Sequence, residues 1–83
     1  MDYAMTTAGR EMLEKLQRTF TKHPATLHKD LLKLDPDDPF LERKIERRLR
    51  LRTQAAGPTA QTVQGIAQMV RDGEFGAPYA EDE

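Results

Sequence analysis

A chain of 83 residues holding only sixteen Leu, Ile, Val and Phe side chains makes one domain with a thin core, since so short a chain buries only about 60–65% of the surface its unfolded form exposes. The net charge of −1 leaves little self-repulsion to keep the chain open, which argues against full disorder and for a helical domain steadied by a partner or by self-association. The absence of cysteine and serine excludes a disulfide framework, a thiolate metal site and the usual hydroxyl or thiol nucleophiles.

In chain order, the opening MDYAMTTAGREM lacks the basic start and apolar core of a signal peptide, and no run approaches the roughly 18 apolar residues of a spanning helix. A soluble, cytoplasmic protein without a membrane contact is expected. Met5, Met12, Leu13, Leu16 and Phe20 recur at helical spacing and predict a first helix over residues 7 to 22. Leu27, Leu31 and Leu34 predict a short second helix opening at Pro24, because proline fits a first helical turn and drives the residue before it out of the helical region.

Asp38-Pro39 then marks the start of a third helix, residues 39 to 56. The Asp38 carboxylate can accept an orphan amide there and favours the positive helix end. Gly57 offers a left-handed stop, and Pro58 or Thr59 opens a fourth helix with Val63, Ile66, Ala67 and Val70 on one face, ending at Gly73. Gly65 inside it is either a weak point or a place of close helix approach. The remaining GEFGAPYAEDE has no periodicity and predicts a flexible acidic tail. The expected fold is all-α, a small bundle or hairpin array of three to four helices, with one domain over residues 1 to 73 and a disordered tail over 74 to 83.

The charge is unevenly spread. Residues 41 to 56 carry +4, and residues 57 to 83 carry −4. The DPDD segment, Asp35 to Asp38, lacks the glycine and distal glutamate of a calcium loop, so helix capping explains it and no metal is expected. His23 and His28, five apart, do not match a zinc-helix pair. The five glycines are scattered rather than gathered in a phosphate loop. No cofactor, small-molecule substrate or catalytic residue is expected, and the chain reads as non-enzymatic.

The third helix carries the functional expectation. Leu41, Ile45 and Leu49 form one stripe, with Phe40 and Leu51 on its flank, while Arg43, Arg47 and Arg50 lie opposite. Arg48 and Arg52 fall nearer the apolar stripe, where their stems can pack and their heads reach a carboxylate or phosphate. The reading is a protein–protein interaction module, an adaptor or regulator. Phe40, Leu41, Ile45 and Leu49 would anchor a macromolecular partner or a second copy, and Arg43, Arg47, Arg48, Arg50 and Arg52 would select its acidic surface. The alternative is DNA or RNA binding through the same arginines. Against it stand Glu42 and Glu46 inside the basic run and the lack of a recognition helix after Gly73. A third option is a structural subunit of a larger assembly.

Overall fold

The computed structural model describes residues 5–20, 22–53 and 57–76, and the chain is all-α with no strand among them. Helix α1 spans Thr7–Thr19, a 3₁₀ turn at Pro24–Thr26 runs directly into α2 at Leu27–Leu32, α3 spans Leu41–Arg50 and α4 spans Ala60–Arg71. Among the described residues no helix is long and apolar enough to cross a membrane.

The starts of α1 and α4 follow from hydroxyl caps. The amide of Gly9 donates to Thr6 Oγ1 at 3.0 Å, and the amide of Thr62 donates to Thr59 Oγ1 at 3.1 Å, so each threonine satisfies a donor that lacks an intrahelical partner. The end of α4 is equally well defined. Gly73 takes a left-handed φ of 72°, its amide donates to the Val70 carbonyl at 3.1 Å, and the Glu74 amide reaches back to Met69 at 2.9 Å. These paired bonds form a Schellman motif, and glycine supplies the positive φ without steric cost.

α3 packs on α4, and α1 packs on α2 with its preceding turn. The core between them takes Leu13, Leu16 and Phe20 from α1 and its cap, Leu27, Leu31, Leu32 and Leu34 from the α2 region, Leu41, Ile45 and Leu49 from α3, and Val63, Ile66 and Ala67 from α4. Met5, Met12 and Val70, expected on the same faces, are half-buried at its edge. Burial of each large aliphatic side chain contributes roughly 1.5–3 kcal/mol.

Several boundaries differ from the sequence expectation. The first helix stops at Thr19 rather than 22, because Phe20 turns to extended backbone and sinks into the core. The third helix is Leu41–Arg50 rather than 39 to 56. Asp38 does take an orphan amide, that of Phe40 at 2.8 Å, but the Pro39–Phe40 step is a turn and Phe40 is the cap residue. At the other end the Arg52 amide donates to Leu49 only three residues back, at 2.9 Å, a tightening that ends the helix before Gly57. Residues 54–56 lie outside the described residues. Gly65 has no atom within 4 Å of where a Cβ would stand, so it is an open position and not a close approach.

Residues 74–76, expected to lie in the tail, pack against the helices. Phe75 is 2% exposed and belongs to the core. Its carbonyl accepts a hydrogen bond from His28 Nε2 at 2.8 Å. Glu74 lies along the start of α1: its carbonyl accepts the Thr6 amide at 3.0 Å and its carboxylate the Thr6 hydroxyl. Gly9 is required at this crossing, because a Cβ there would collide with the Glu74 carbonyl. The acidic stretch 77–83 lies outside the described residues.

Candidate functional site on the third helix

With about 3.6 residues per turn, the positions of α3 divide into an inner and an outer face. Leu41, Ile45 and Leu49 are all 0% exposed. They close the chain's own core and are not available as partner anchors in this fold, which corrects that part of the expected site. The physical reason is the apolar face of α4, which meets the stripe directly. Phe40 and Leu51, expected to widen that stripe, instead point outward at 58% and 64% exposure, the large hydrophobic side chains left exposed among the described residues.

Arg52 also leaves the expected site. It is 4% exposed, and its guanidinium donates to Asp30 Oδ2 at 2.5 Å, Thr26 Oγ1 at 2.8 Å, the Arg48 carbonyl at 3.0 Å and the His23 carbonyl at 3.3 Å. Its own carbonyl accepts the Lys22 amide at 3.0 Å. The carboxylate it reaches is the chain's own. A planar fork with five donors suits this corner, where α3 ends against the turn that opens α2 and His23 adopts a left-handed φ of 55°. Arg48 is half-buried, and its Nη1 donates to the Lys44 carbonyl at 3.2 Å.

What remains outward is a basic stripe with apolar ends: Phe40, Arg43, Lys44, Arg47, Arg50 and Leu51, all exposed. Phe40, Arg43, Lys44 and Arg47 line one shallow depression, while Arg43, Glu46, Arg47, Arg50 and Leu51 line the next. Lys44 was absent from the expected site, although its spacing of one turn from Phe40 and less than one from Arg47 places it on the same face.

The cations on this stripe are not equivalent. Lys44 pairs with Asp38. Arg50 donates from Nε at 3.1 Å and Nη2 at 2.7 Å to Glu46 Oε2. Arg43 lies over the Phe40 ring, 5.9 Å from its centroid. The Arg47 side chain has neither a hydrogen bond nor an ion pair among the described residues. The Lys44 ammonium, with the Phe40 amide, holds the Asp38 carboxyl below its ordinary value of 3.8, since both stabilise the carboxylate.

The other polar clusters serve the fold. Asp35 Oδ1 accepts the Asp37 amide at 2.9 Å and Asp38 Oδ1 that of Phe40, so the DPDD segment is a pair of side-chain-closed turns. Among the described residues no group of three His, Asp or Glu side chains converges as metal ligands would. Among the described residues, a groove of about 570 Å³ between α1 and α4, floored by Leu16 and Phe20, has Lys15 as its one charged lining side chain and brings together no acid–base pair. Comparison of the chain with protein-family models, with curated proteins and with solved structures finds no match.

Proposed function

We propose that this protein is a small non-enzymatic interaction module, an adaptor or regulator, that binds a protein partner through the outer face of α3. The observation that carries the reading is the placement of Phe40 and Leu51. These exposed large hydrophobic residues bracket the exposed arginines on one face of one helix. A scattered exposed leucine needs no explanation, but an exposed aromatic and an exposed leucine bracketing arginines along one stripe form a mixed apolar and basic patch, and aromatic residues and arginine are types enriched at protein interfaces. The inner leucines fix the helix, Phe40 and Leu51 supply the apolar contact, and the arginines choose an acidic partner. The lack of serine and cysteine nucleophiles supports a non-enzymatic role.

The test is capture of the partner from the native host on the full chain, after nuclease treatment. Arg43→Glu with Arg47→Glu is expected to abolish capture, while Arg10→Glu with Arg18→Glu, on exposed positions of α1, leaves it intact. Capture that survives the α3 reversal contradicts the reading. Capture lost on nuclease treatment alone favours nucleic acid instead, and a chain whose size grows with concentration in light scattering favours self-assembly.

A further inference from the structure

We infer that the segment bound by the α3 face is an acidic stretch of protein presenting two carboxylates to Arg43 and Arg47, bracketed by apolar side chains that cover Phe40 and Leu51. This rests on the reading of α3 as a protein-binding face and adds the partner's chemistry.

The α3 cations differ in what already satisfies them. Asp38 holds Lys44, Glu46 holds Arg50, the Lys44 carbonyl holds Arg48, and Asp30 with three further acceptors holds Arg52. Arg43 has an aromatic face but no carboxylate, and Arg47 has neither among the described residues. These two stand four positions apart, so their Cβ atoms are about 5–6 Å from one another along the helix. Each guanidinium is a rigid fork that a carboxylate fills with two parallel hydrogen bonds. Phe40 lies three residues before Arg43 and Leu51 four after Arg47, so apolar and basic groups follow one line. That line runs about 16 Å from end to end at roughly 1.5 Å per residue.

The same count separates protein from nucleic acid. Even if the exposed pairs of Lys44 and Arg50 opened, Arg43, Lys44, Arg47 and Arg50 would neutralise about four phosphates and give a salt slope near −3.6, where strong duplex binders make about 6–10 such contacts. The sugar-phosphate backbone of a duplex, whose bases are stacked inside, also offers no apolar group to cover Phe40 and Leu51. A protein segment offers both kinds of group at once.

The probe is a synthetic helical peptide with two glutamates one turn apart, flanked by leucines at the spacing of Phe40 and Leu51, with fluorescence anisotropy against the full-length chain. Replacing the glutamates by glutamine is expected to weaken binding about tenfold or more, and replacing the leucines by serine by a similar factor. In Arg43→Gln with Arg47→Gln the glutamate and glutamine peptides are expected to bind alike, with the circular dichroism melt unchanged, since both side chains are exposed. Equal binding of the glutamate and glutamine peptides to the unmodified chain overturns the inference, as does tighter binding to generic duplex DNA than to the glutamate peptide. If capture from the host depends on Arg43 and Arg47 while the peptides are indistinguishable, the partner chemistry is wrong and the interaction module stands. If capture ignores both arginines, both readings fall.

Discussion

Arg52 shows how a residue's chemistry and its position divide the information. Its place on the helix put it beside the apolar stripe, and periodicity therefore indicated a packed stem, but nothing local revealed that its partner was Asp30, twenty-two residues earlier. Such a pair is set by how α3 meets the α2 corner, which is a tertiary fact. Arg52→Ala is expected to cost about 2–3 kcal/mol in denaturant unfolding, less than a fully buried pair because Asp30 keeps partial access to water. Arg52→Lys is expected to recover only part of this, because an ammonium cannot span acceptors on three separate segments. The glycines make a sharper contrast at the same scale. Gly9→Ala must push the Glu74 carbonyl aside and is expected to destabilise by about 1–3 kcal/mol. Gly65→Ala meets nothing and is expected to stabilise by about 0.5–1 kcal/mol, both read from chemical denaturation. Asp38 gives a pH signature. Its carboxyl is depressed in the folded chain, so its contribution is present above the unfolded value near 3.8 and is lost as pH falls through the lower folded value. Asp38→Asn is thus expected to be less stable than the parent at neutral pH, with the gap closing below about pH 4 in urea titrations.

At the scale of elements, the four helices and their apolar faces were legible because helical periodicity is a local property: Leu13, Leu16, Leu27, Leu31, Ile45, Leu49, Val63 and Ile66 all stand where that period puts them. The end of α4 by Gly73 was legible too, since the glycine punctuates its own turn, although the Schellman bonds that close it were not read from the sequence. Phe75 was not, because a lone aromatic among acidic residues has no periodic neighbours to mark its face, and its burial depends on the crossing of residue 74 over α1. On α3 the direction of the apolar stripe was legible but its occupant was not, because α4 and a foreign surface present the same demand. The two faces should now separate in experiment. Ile45→Ala, at a position with 0% exposure, is expected to cost about 2–5 kcal/mol in thermal or chemical unfolding. Arg43→Glu with Arg47→Glu is expected to change stability by within about 0.5 kcal/mol.

For the whole molecule, α3 divides into an inner face that builds the bundle and an outer face left basic and partly apolar, so the proposed binding face would not compete with the core for the same side chains. The core needs every large aliphatic residue of the inner faces, leaving Phe40 and Leu51 as the exposed large hydrophobics among the described residues. Binding at that outer face would add to stability by mass action, a useful increment for a domain with so little surface to bury. The most direct measurement is photo-crosslinking in the native host from a reactive amino acid at position 44, which lies on the same exposed face and leaves Arg43 and Arg47 in place, with position 18 on α1 as the exposed control. The expected result is a discrete crosslinked protein from position 44 and none from position 18; no crosslink from position 44, or the same product from both, would contradict α3 as the binding face.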